Sequence, residues 1–78
     1  MSWNYRLLAY SDQDDMYFQM HDVYYHDDGT PRGYGEPHST IGGSSVEEIK
    51  RVMKRMEEAL EKPILWADEK RFPEEFKP

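Results

Sequence analysis

Three histidines, His21, His26 and His38, stand near Asp22, Asp27 and Asp28, and imidazole beside carboxylate is the combination that binds a divalent metal or moves a proton near neutral pH. Spacing decides how many of them can converge. His26-Asp27-Asp28-Gly29-Thr30-Pro31 reads as a turn, because Asp-Gly supplies the positive φ that a type I′ turn, or a type I turn with a glycine bulge, requires. His26 then lies beside the turn, His21 in mid-strand, and His38 opposite Phe18 or Gln19 on the returning strand. At ~3.3 Å per residue His26 and His38 stay far apart. His21, His38 and Asp22 form the only set that could hold a metal or small ligand, and solvent-facing histidines with no metal or cofactor are the simpler expectation.

Nucleophilic catalysis needs a hydroxyl with a base and an orienting acid. Among Ser11, Ser39, Thr40, Ser44 and Ser45, the last two are better placed to open a helix, and no strand-Ser-helix elbow frames any of the five. Gly42-Gly43 before that helix lacks the glycine-rich loop and lysine of a phosphate cradle, and Glu47-Glu48 repel an anion. The residues therefore point away from an enzyme. Asp12, Asp14 and Asp15, with Asp27 and Asp28, could imitate nucleic-acid phosphates as an acidic inhibitor does, but the two groups sit at opposite ends of a strand, roughly 33 Å apart by its rise. Solvated turns account for them better.

These groups must be positioned by one small domain, since 78 residues leave no room for a second core. Such a chain is marginally stable by itself, so a homo-oligomer or a protein partner is expected. There is no cysteine, hence no disulfide framework or thiolate metal site. No signal-like opening and no long apolar run are present, so no membrane contact and a cytoplasmic location are expected. The net charge of −6 argues against direct nucleic-acid binding. Its distribution is uneven: Met1 to Thr30 carry one Arg against six Asp, whereas Val46 to Lys62 balance five basic against five acidic groups.

The elements follow from periodicity. Trp3 to Tyr10 reads as a strand with Trp3, Tyr5, Leu7 and Ala9 on one face, and Ser11 to Asp15 as a hairpin loop. Met16 to Tyr25 reads as the second strand, but Met16, Phe18 and Met20 are even and Val23 and Tyr25 odd. That phase change predicts a β-bulge near His21-Asp22, the alternative being apolar groups on both faces. Arg32 to Thr40 returns as a third strand that Pro37 confines to an edge. Ser45 and Glu48 form a capping box, and Val46, Ile49, Met53, Met56 and Leu60, with Val52 and Ala59, make an apolar stripe that Pro63 ends. Ile64-Leu65-Trp66 is a short final strand or a plug.

The expected fold is α+β, a two-layer β-β-β-α arrangement in which a three-stranded antiparallel meander has one face covered by an amphipathic helix, with a possible short C-terminal strand. Residues 1–66 form the domain, and 67–78 a loose or peripherally docked tail.

Trp3-Asn4-Tyr5-Arg6, His21 to Tyr25 with Asp28-Gly29-Thr30-Pro31, Gly43 to Glu48, and Ala59 to Leu65 together resemble a group of short uncharacterised bacterial proteins. The resemblance spans nearly the whole chain and implies a bacterial, cytosolic setting but no activity. A narrower one, confined to Gly43 to Glu48, is to HicB-like antitoxin domains; it implies an antitoxin-like alternative, although the central segment and the DNA-binding module of that family have no counterpart here.

Ten of the eleven tryptophan, tyrosine and phenylalanine rings, all but Phe18, are more than one helix can cover, and rings with a polar end are typical of protein interfaces. The function expected is a small non-enzymatic interaction or regulatory module, binding a protein or a second copy through an uncovered sheet face with Tyr17, Tyr24, Tyr25 and Tyr34, or through the third-strand edge. The alternatives are a small-ligand or metal-binding domain using His21, His38 and Asp22, and the acidic inhibitor.

Overall fold

A computed structural model describes residues 2–12 and 15–77. The elements are β1 (Trp3–Asp12), β2 (Asp15–Tyr25), β3 (Pro31–Tyr34), α1 (Val46–Ala59) and β4 (Leu65–Trp66). The fold is α+β, as expected, with one helix on a four-stranded sheet in the order β3-β2-β1-β4. The first three strands form the antiparallel meander, but β4 pairs parallel to β1, so the sheet is mixed.

The β1–β2 ladder runs unbroken from Trp3↔Tyr24 to Asp12↔Asp15. The bulge expected near His21-Asp22 is therefore absent, and β2 carries apolar groups on both faces instead. The register shift falls between Tyr24 and Tyr25, where β2 meets β3. There the turn closes with Gly29 N donating to His26 O at 2.9 Å and His26 N to Thr30 O at 2.8 Å. Gly29 takes φ +90°, the backbone region that glycine enters without penalty. Asp28 Oδ1 accepts from the Thr30 amide and hydroxyl, which holds its carboxyl below the usual range.

The third strand is shorter than Arg32 to Thr40: its ladder ends at Tyr34. After Gly35 N donates to Asp22 O, the chain loops outward through Pro37, which has no N–H to give, and rejoins β2 where Ser39 N donates to Met20 O. The helix begins as expected, with Ser45 accepting from Glu48 N at 3.1 Å. The return bond of the box goes one residue further back, since Glu48 Oε2 accepts from the Ser44 amide and hydroxyl. At the other end α1 stops at Ala59, short of Pro63, and three-residue bonds from Leu60, Glu61 and Lys62 to Glu57, Glu58 and Ala59 tighten the chain beyond it.

Facing residues in a ladder point the same way, so the sheet has two distinct sides. Arg6, Leu8 and Tyr10 of β1 share one with His21 and Val23 of β2 and Leu65 of β4; Tyr5, Leu7 and Ala9 share the other with Phe18, Met20 and Tyr24. The helix lies on the second side, with Met56 and Ala59 its buried residues. The tightest packing is on the first. Leu8 and Val23 are fully buried there with Leu65 and Ala67, and Tyr10, Tyr25, Tyr34 and Phe72 close over them. The expectation that the side away from the helix is bare is thus overturned. Its closure comes from curling: the hydroxyl of Tyr34, on edge strand β3, donates to the carbonyl of Ala67, just beyond edge strand β4, and the Tyr34 and Phe72 rings meet edge to face at 5.0 Å.

Residues 67–76, expected as a loose or peripherally docked tail, take part in that closure through Ala67 and Phe72. They also return to β4, with Trp66 N donating to Glu74 O and Phe76 N to Ile64 O. Phe76 then packs against Trp66 at 5.0 Å and Phe18 at 5.5 Å on the helix side.

Candidate interaction surface

The residues with catalytic or ligating chemistry are dispersed by strand alternation. His21 and Asp22 are neighbours in sequence and therefore point to opposite faces. His21, 1% exposed, lies inside the curl, where Tyr10 Oη is 2.5 Å from Nε2 and Gly35 O is 2.9 Å from Nδ1. A carbonyl can only accept, so Nδ1 donates to it, and in the neutral ring Nε2 accepts from the Tyr10 hydroxyl. Burial is the main cause that pushes the Tyr10 hydroxyl up to about 12, with Tyr34, Glu36 and Tyr17 adding to it, which keeps that donor protonated. Asp22, on the far face, accepts from Ser39 Oγ at 2.5 Å. It shares a shallow cleft of about 390 Å³ with exposed His38. Among the described residues no group of three or more His, Asp or Glu is placed to hold a metal ion.

Arg6 belongs to the same buried layer as His21. Only 8% exposed, it donates from Nη1 to Tyr25 Oη at 2.9 Å and from Nη2 to Pro63 O at 2.6 Å, and Tyr25 in turn donates to Asn4 Oδ1. Its Nε has no hydrogen-bond partner among the described residues. These bonds tie β1, β2 and the segment between α1 and β4 together, which makes the layer a structural network.

The four tyrosines expected as a docking face do not form one. Tyr17, Tyr25 and Tyr34 lie on the curled side and Tyr24 on the helix side. Tyr25 and Tyr34 are engaged through their hydroxyls, and Tyr17 stacks on Tyr10 with centroids 4.8 Å apart. The acidic turns are separated as expected, Asp12 and Asp15 at one end of the hairpin and Asp27 and Asp28 beyond the other; Asp14 falls outside the described residues.

Apart from Tyr17, the large apolar side chains left exposed among the described residues are on the helix side or its incoming loop. The stripe of α1 is broader than the strip of sheet beneath it, and α1 is turned so that Met56 and Ala59 face β1 while Val46, Met53 and Leu60 remain 65%, 53% and 61% exposed. Beside Met53 and Leu60, Met20 of β2 and Ile41 of the incoming loop complete an open groove of about 670 Å³, rimmed by Lys50, Lys54 and Glu57. The sequence reading placed this entire stripe against the sheet. A signal was present in the seven-residue spacing of Val46, Met53 and Leu60, a narrower seam within the stripe with charged residues interleaved. Nothing in the periodicity said which edge of the stripe the sheet would take.

Comparison with family models, with curated proteins and with solved structures found no match to this chain. No helix among the described residues is long and apolar enough to cross a membrane.

Proposed function

We propose that the chain is a non-enzymatic protein interaction module that docks through the groove between α1 and β2. The observation that carries this reading is the exposure of Met53 and Leu60 beside Met20 and Ile41, contiguous apolar surface of the kind that marks docking sites, with exposed Val46 further along the same helix. Methionine suits such a surface because its unbranched side chain adapts to the shape of a partner. The dispersal of the histidines and the structural use of Ser39, Ser44 and Ser45 support a non-enzymatic role. A bacterial, cytoplasmic setting forms part of the proposal and rests on the sequence resemblance alone.

The test is site-specific photo-crosslinking in living cells, with the reactive side chain placed in turn at Met53, Ile41 and Tyr17. Discrete protein adducts from Met53 and Ile41 but not from Tyr17 are expected. Adducts from Tyr17 alone, or none from the groove, would defeat the assignment.

A further inference from the structure

The outer ridge of α1 reads Val46, Lys50, Met53, Glu57, Leu60, in steps of four, three, four and three, which places all five along one line of the helix surface. Read backwards, the ridge has the same pattern of chemistry. Val46 and Leu60 stand seven residues either side of Met53, Lys50 three before it and Glu57 four after. We propose that the occupant of the groove is a second copy of this chain, its helix antiparallel to the first, about a two-fold axis passing beside Met53. This rests on the docking role proposed above and adds to it a partner and a register.

A two-fold interface must be self-complementary, since every contact occurs twice. In this register Met53 meets its own mate, Val46 packs against Leu60 of the second copy at both ends, and Lys50 lies within one residue of Glu57 of the second copy, twice over. A parallel pairing would instead stack Lys50 on Lys50 and Glu57 on Glu57. The charges therefore select the antiparallel arrangement, as like charges brought together oppose association. Among the described residues of the monomer, Lys50 has a loose contact with Glu47, at 3.8 Å with both side chains largely exposed, so re-pairing costs little. The overall charge of −6 opposes self-association, but α1 with its flanks is the near-neutral part of the chain, and the acidic hairpin turns lie elsewhere. Glu61 and Lys54 flank the ridge further round the helix and leave its apolar line continuous.

The experiment is sedimentation equilibrium on the full chain up to millimolar concentration, with charge variants on the ridge. The native chain is expected to dimerise reversibly. Lys50→Glu and Glu57→Lys should each weaken the dimer by about tenfold, because each creates two symmetry-related like-charge contacts, and the double variant should recover to within about threefold of native. Both positions are on the surface, so unchanged circular dichroism checks the fold. Independently, the chain contains no cysteine, so Met53→Cys should give a disulfide-linked dimer under mild oxidation, while Arg51→Cys, on the opposite side of α1, should not. A monomer at every concentration overturns the second-copy occupant, yet Met53 photo-adducts with a different protein would still leave the docking role standing. Dimers whose charge reversal is not rescued, or that Met53→Cys does not trap, overturn the register.

Discussion

On the curled face of the sheet a guanidinium and an imidazole sit at 8% and 1% exposure among Leu8, Val23 and Leu65, whereas on the helix face three aliphatic or thioether side chains of α1 and its C-cap remain more than half exposed. The two sides thus invert the simple rule of polar outside and apolar inside. The curled face accommodates its buried polar residues because most of their donors and acceptors find partners within reach: a tyrosine and a carbonyl for His21, and a tyrosine and a carbonyl for the two Nη atoms of Arg6, with Arg6 Nε the exception among the described residues. The helix face is left open because a single 14-residue helix above a narrow sheet covers only part of its own stripe. Closure of a small sheet on one side by its own edges, and not by the helix, frees apolar surface on the other.

The sharpest way to break that contrast is to open the closed side. Leu8→Ala should destabilise the fold by about 3 kcal/mol, since the side chain is fully buried and the cavity has little room to collapse; chemical denaturation reads it directly. His21→Leu leaves the Gly35 carbonyl and the Tyr10 hydroxyl without their partner and should cost about 2 kcal/mol in the same assay. Tyr34→Phe removes the hydroxyl that joins the two sheet edges and should cost about 1 kcal/mol, accompanied by faster amide exchange at Ala67 and its neighbours.

Alkaline titration gives a smaller effect of known sign. The Tyr10 hydroxyl is pushed up to about 12, first by burial and then by Tyr34, Glu36 and Tyr17, so the folded chain holds that proton more tightly than the unfolded chain, in which the value is 10.0. The contribution is complete below pH 10 and is lost as pH rises through about 12. A stability profile across that window should fall for the native chain and fall less for Tyr10→Phe. The smallest effect belongs to the open side: Met53→Ser or Leu60→Ser, measured in solution dilute enough to keep the chain monomeric, should change stability by no more than about 0.5 kcal/mol. Were either to approach the Leu8 value, the groove would be part of the core and its docking role would fail.

Local chemistry was legible wherever neighbours in sequence are neighbours in space. The Asp28-Gly29 turn, the Ser45 and Glu48 cap and the first antiparallel pair are all read from short spacings, because their hydrogen bonds close between residues near in sequence. The phase change in β2 was visible but misassigned to a bulge, since apolar groups on both faces are accommodated only when both faces are covered, and that coverage arrives from residues some forty positions away. The tyrosines show the same gap: their types announced contact area, but Tyr34 finds its acceptor in Ala67, and Tyr25 its partners in Asn4 and Arg6.

By itself the sequence determined the α+β content, the helix with its amphipathic stripe and the Asp28-Gly29 turn, because periodicity and capping act over one or two turns of chain. Only the tertiary structure decided which side of the sheet is sealed and how α1 is rolled upon it. Those choices depend on the curl that brings β3 beside the segment after β4 and on the parallel pairing of Leu65 with Leu8, contacts between distant residues that no local spacing encodes.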